Sequence, residues 1–150
     1  MSFPDSAGAP RPRVGPGVAV GVTEAMIHEL VHRFYARVRA DAVLGPIFDR
    51  VIGDHWDEHL AKLCDFWSSV VLMTGRYHGR PMAAHFRIDG LGATHFGRWL
   101  ALFRLTASET CPPEAAALFV ARAETIAESF QLGLAVNRGE LPPLSQRATR

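Results

Sequence analysis

Between Thr23 and Asn137 the apolar residues recur at steps of three and four, and nowhere do they alternate long enough to predict a strand. The first run, Met26, Ile27, Leu30, Val31, Phe34, Tyr35 and Val38, is opposed by His28, Glu29, His32, Arg33, Arg37 and Arg39. That is one amphipathic helix, with Thr23 as N-cap and Glu24 in the first turn, where the helix dipole favours a negative charge. Asp41 to Phe48 reads as a break, because Gly45-Pro46 forces the chain out of the helix before it turns back and Phe48 closes the corner. A second long helix is predicted from about Asp54 to Thr74, stopped by Gly75, with Trp56, His59 or Leu60, Leu63, Trp67 and Val70 or Val71 on its buried stripe. Thr94 can cap a third, which carries Phe96, Trp99, Leu100, Phe103 and Thr106 along one face. Cys111-Pro112-Pro113-Glu114 ends it and starts a fourth, with Phe119, Ala123, Ile126 and Phe130 on one side as far as about Asn137.

The pattern fails at both ends. Residues 1–22 are crowded with Pro and Gly and carry no period, so they read as a disordered leader; residues 138–150 read as a polar tail. One domain, 23–137, is left. With 48% apolar residues, 21% charged residues and a formal net charge of +1, nothing recruits nucleic acid or anionic lipid. No apolar run approaches the roughly 18 residues that would span a bilayer. Cys64 and Cys111 form no C-x-x-C and read as buried or half-buried thiols in a reducing, cytoplasmic setting.

Candidate chemistry sits between the second and third long helices. Gly79-Arg80-Pro81-Met82-Ala83-Ala84-His85-Phe86 predicts a very short helix: Pro81 suits a first helical position, Gly79 lets the chain turn into it, and Met82, His85 and Phe86 share a face. A neutral imidazole held toward an apolar slot is what a haem iron needs from a protein. Taken alone, such a histidine is more often a core residue bonded to a carbonyl. Four long helices arranged as two antiparallel pairs, packed across one another, leave a slot for a flat cofactor that the short helix would line. Three inward polar groups then come from three helices: Tyr35, His59 and Trp99. Together they offer donors that stabilise partial negative charge on a dioxygen ligand in a dry cavity. His55 and His59 have the i, i+4 spacing of a metal pair, but the H-E-x-x-H register is absent. A non-haem metal bundle would also need Glu-x-x-His motifs on two inward faces, which the chain lacks.

Several segments resemble the truncated haemoglobins, and within them the third group: FYARVRAD at 34–41, LGPIF at 44–48, WDEHLAKL at 56–63, FW at 66–67, YHGRPMAAH at 77–85 and WLALF at 99–103. The resemblance spans most of the chain between the leader and the last helix. It implies an all-α two-over-two helical sandwich, a shortened globin, around a five-coordinate haem b iron. By it His85 is the proximal ligand, Tyr35 and Trp99 are distal donors, and His59 gates or contacts the bound ligand. Phe48 stacks on the porphyrin, with Leu63, Met82, Phe86 and Phe96 also against the cofactor. Lys62, Arg80 and Arg87 are the bases available to its propionates. The expected partners are dioxygen or another diatomic ligand and a reductase. Oxygen binding is the minimal function; a peroxidase-like or nitric-oxide-consuming reaction is the enzymatic alternative. A gas sensor is the third, and it would need an output domain that this sequence does not carry.

Overall fold

The structure is a computed structural model that describes residues 15–79, 91–137 and 139. Among the described residues six helices occur and no strand: α1 (Pro16–Ala19), α2 (Glu24–Ala40), α3 (Leu44–Ile52), α4 (Trp56–Leu72), α5 (Ala93–Thr110) and α6 (Pro113–Asn137). The apolar stripes of the sequence are their buried faces. On α2, Ile27, Leu30, Val31, Phe34, Tyr35 and Val38 are all buried, and Thr23 caps the helix by accepting the Met26 N–H at 3.2 Å.

The helices form two antiparallel pairs. In the first, Glu24 near the start of α2 meets Ser68 near the end of α4, while Tyr35 meets Trp56 and His59 at the other end. In the second, the Cys111-Pro112 link folds α6 back along α5, so that Arg104 pairs with Glu124 at 2.7 Å and Phe96 lies 6.4 Å from Phe130. The pairs cross where α2 meets α5. There Phe34 stands edge-on to Trp99 and Phe103, and Phe103 is sandwiched between Trp67 and Trp99 at centroid distances of 5.3 and 5.6 Å. Such packed rings contribute about 0.5–1.5 kcal/mol per pair beyond their buried area, and they fix how far apart the helix pairs stand.

Asp41 locks the same crossing from outside. Its carboxylate oxygen Oδ2 accepts from the Arg98 guanidinium at 2.6 Å and from the Val43 and Leu44 amides at 3.0 and 2.9 Å, so one side chain ties α5 to the start of α3. Arg98 first, then the two amides, hold the Asp41 carboxyl down at about 2 against partial desolvation. A folded-state value below the unfolded one stabilises the fold above about pH 4, and that contribution is lost as pH falls through about 2. We expect Asp41→Asn to cost about 0.5–2 kcal/mol at neutral pH, the range of a lost cap, and to flatten the acid limb of stability between about pH 4 and 2. Urea midpoints across that range measure it, and a variant with the parental acid limb would contradict the assignment.

The structure corrects the sequence reading at four places. Leu44–Ile52 is a helix, α3, where a Gly-Pro break was expected; Pro46 falls in its first turn, where a missing N–H costs nothing, and Asp41 satisfies the amides ahead of it. Gly45 is needed there for a different reason: a Cβ would stand 2.4 Å from the Arg39 carbonyl oxygen. Second, α4 begins at Trp56 and ends at Leu72, and Met73 rather than Gly75 takes the left-handed C-cap, at φ 57°. Third, Gly92 rather than Thr94 is the N-cap of α5, with its N–H given to His95 Nδ1 at 3.1 Å. Fourth, regular structure begins ahead of Thr23, because α1 packs on the end of α4. At Gly15 a Cβ would stand 2.4 Å from the Val71 carbonyl oxygen, so backbone lies directly on backbone.

Candidate functional site

A cavity of about 600 Å³ opens between the two helix pairs. Small-molecule sites commonly fall between about 300 and 1,000 Å³. Tyr35 reaches it from α2, Phe48 from α3, and His59, Lys62, Leu63 and Phe66 from α4. The opposite wall is His95, Phe96 and Trp99 from α5, with Ile126, Ala127 and Phe130 from α6. Aromatic and aliphatic carbon dominates this lining, as a flat apolar cofactor requires.

The structure brings Tyr35, His59 and Trp99 together. Tyr35 is 5% exposed and is ringed by Phe34 at 4.7 Å, Phe48 at 6.0 Å and Trp56 at 6.3 Å. Burial pushes its hydroxyl up to about 12, only partly offset by a hydrogen bond with Trp99. An indole can only donate, so what Trp99 can offer the Tyr35 oxygen is its Nε1–H. The phenol therefore stays neutral through the ordinary pH range and keeps an O–H of its own to donate. The half-buried His59 ring stands edge-on to Tyr35 at 6.2 Å and to Trp56 at 5.8 Å, so it borders the same corner.

The remaining candidates separate. Phe48 and Leu63 are half-buried on the wall, Phe96 is buried there, and Lys62 lines it while remaining exposed. Arg80, Met82, His85, Phe86 and Arg87 lie outside the described residues. Gly79 and Leu91, the described residues on either side of 80–90, both line the cavity. The path of the chain up to Gly79 is tied down: Tyr77 N–H donates to Ser69 Oγ at 2.9 Å, the Tyr77 ring stands edge-on to Phe66 at 5.3 Å, and Arg76 pairs with Glu24 at 3.3 Å. His55 does not join His59. It is exposed, with its Nδ1 3.1 Å from Glu58, and the described residues contain no group of three or more metal-ligating side chains.

Sequence reasoning missed Arg76, Tyr77, His78, His95, Ile126 and Phe130 as lining residues. His95 carried a legible signal, since three positions after a glycine at a helix start is where a side chain can reach back to the cap amide. Its Nδ1 accepts that amide, which leaves the ring proton on Nε2.

Helix pairs crossed over an aromatic-walled cavity, with a phenol, an indole and an imidazole at one corner, define a shortened globin. No family model matches the chain. It is 34% identical over 113 residues to the group 3 truncated hemoglobin of Campylobacter jejuni, a match that takes in 73% of this chain and 89% of that protein. The crystal structure of a group III truncated hemoglobin from Campylobacter jejuni matches the fold with a TM-score of 0.72 at 34% identity, over 75% of this chain and 91% of that one. The chain belongs to the group III truncated haemoglobins. The all-helical two-over-two sandwich is that family's globin fold.

Proposed function

We propose that the protein binds haem b in this cavity, with His85 as the protein's ligand to a five-coordinate iron, and takes dioxygen or another diatomic ligand where Tyr35, His59 and Trp99 meet. The observation that carries this reading is that Tyr35, His59 and Trp99, from three different helices, line one otherwise apolar cavity. When bound, the cofactor supplies the iron at which a diatomic ligand sits. This chain's residues do the rest. Phe48, Leu63 and Phe96, with Met82 and Phe86, exclude water from the cofactor's faces. Tyr35 O–H and Trp99 N–H donate to negative charge on the ligand, contacts strengthened by the low local dielectric. His85 belongs to a segment whose two flanks, Gly79 and Leu91, both reach the cavity wall, which suits a ligand directed inward.

The visible absorption spectrum of the purified protein tests this, ferric and ferrous, with and without carbon monoxide. A ferrous five-coordinate species that takes up carbon monoxide is expected. Protein that takes up no haem, or ferric iron that is purely low-spin and bis-histidine at neutral pH, would overturn the open-pocket reading.

Among the bases, Lys62 is the described one we assign to a propionate, with Arg80 and Arg87 as the alternatives. Because Lys62 is exposed, the pair is worth about 0–1 kcal/mol, and Lys62→Ala should speed haem loss by no more than about fivefold. A haem-transfer assay reads this directly, and an unchanged rate removes Lys62 from the assignment. The partner that returns electrons to the iron is proposed to be a reductase. The free thiols fit a reducing cytoplasm: Cys64 is pushed up, and Cys111 is pushed up to about 11, in each case chiefly by burial. Among the described residues no helix is long and apolar enough to cross a membrane.

A further inference from the structure

Trp56 stands behind Tyr35, outside the cavity lining, and the bonds around it differ from those of the other tryptophans. Its ring lies 6.3 Å from the Tyr35 ring, and its Nε1–H donates to Asp49 Oδ1 at 3.1 Å. The Arg39 guanidinium covers its outer face at 4.5 Å and also reaches Asp49 at 3.5 Å. Arg39 and Asp49 are half-exposed, at 49% and 51%, whereas Trp56 is 6% exposed. From cavity to solvent the order is therefore phenol, indole, then an exposed ion pair. Trp67 and Trp99 line the cavity themselves, with Trp67 packed between Phe103 and Phe119.

We propose that Tyr35 and Trp56 form an electron relay that carries single electrons from a small anionic reductant at the Arg39 surface to a hydroperoxide in the cavity. This rests on the haem reading above. Phenols and indoles are the side chains most readily oxidised by one electron. An indole that loses an electron becomes acidic at Nε1, and Arg39 over the ring disfavours a radical cation there. Oxidation of Trp56 therefore requires that the Nε1 proton leave, and Asp49 is already hydrogen-bonded to it.

With ascorbate as the reductant, the reaction converts one hydrogen peroxide and two ascorbate monoanions into two waters and two ascorbyl radical anions. Each ascorbate loses one electron and one proton, and the O–O bond is the bond reduced. In each of two passes Tyr35 gives its hydroxyl hydrogen, electron and proton, toward the peroxide oxygens. The phenoxyl oxygen then regains an electron from Trp56 and a proton from the cavity, while the Trp56 Nε1 proton moves to Asp49. Ascorbate returns an electron to the indole, and Asp49 returns the proton. The proton that ascorbate releases to solvent balances the one the cavity takes up.

The experiment uses the full chain loaded with haem, its content checked by absorption, as the parent and as Trp56→Phe and Asp49→Asn. The second variant leaves every ring in place, so the proposal survives a folding failure of the first. Freeze-quenched electron paramagnetic resonance after peroxide addition, without reductant, should show an indolyl radical in the parent and a radical confined to tyrosine in Trp56→Phe. Peptide mass mapping should find added oxygen on Trp56. Ascorbate oxidation by peroxide should slow about tenfold in both variants at parental haem content. Unchanged rates in both variants, or added oxygen on Trp67 or Trp99 with Trp56 intact, would overturn the relay while leaving the haem reading standing. A protein that takes up no haem would remove both.

Discussion

His85→Ala should emerge from purification with most of its haem missing, or with a spectrum that lacks the histidine-ligated band. The described histidines narrow what could replace it. His95 is committed through Nδ1 to the Gly92 amide, and His55 is exposed beside Glu58. His28 and His32 stack on each other at 3.9 Å on the outer side of α2, away from the cavity. His59 and His78 are the competitors, since both line the cavity, but His59 stands with Tyr35 and Trp56 at the corner proposed for the diatomic ligand. The informative companion is His85→Gly supplied with free imidazole, which should restore the band because the added ring fills the ligand's place without the chain. A His85→Ala protein with a native spectrum would sink the assignment and point to His59 or His78.

Tyr35→Phe should release oxygen faster than the parent by roughly ten- to a hundredfold. A buried donor to a partly charged acceptor contributes about 1.5–3 kcal/mol, and each 1.4 kcal/mol is tenfold. The hydroxyl to be removed belongs to a side chain that packing holds on three sides, so little relaxation can substitute for it. Trp99→Phe should act in the same direction, because the indole N–H is the second donor proposed for the ligand. His59→Leu should have the smaller effect. Stopped-flow oxygen release compares the three, with carbon monoxide release as the control, because bound carbon monoxide carries less negative charge for donors to meet. Parental rates in both Tyr35→Phe and Trp99→Phe beside a fast His59→Leu would reverse the assignment.

The long helices were legible because a buried face repeats every three or four residues whatever it packs against, and Phe34, Phe103 and Phe119 lie where that repeat puts them. The inward polar groups were legible for a related reason: a tyrosine or tryptophan amid such bulk carries a polar group that needs somewhere to point, and Tyr35 and Trp99 both line the cavity. What stayed hidden depends on distant residues. Gly45-Pro46 reads as a helix breaker until Asp41 is seen holding the amides in front of it. Met73 in a left-handed cap has no local signature, since most helices use glycine there. Ile126 and Phe130 lie on the apolar stripe of α6, but which turn of that stripe crosses the cavity is decided by how α6 lies along α5, and no local pattern encodes it.

The seating of Gly15 on the last carbonyls of α4 has a practical side for anyone who tags this protein. A peptide or fusion partner joined just ahead of that glycine would start its path against the C-terminal turn of the helix that carries His59 and Lys62. An attachment there meets α4 at Val71 and Leu72, one turn past Trp67, which lines the cavity. Ligand kinetics are therefore better compared on protein tagged at the other end, since Gly139 follows a different helix, α6.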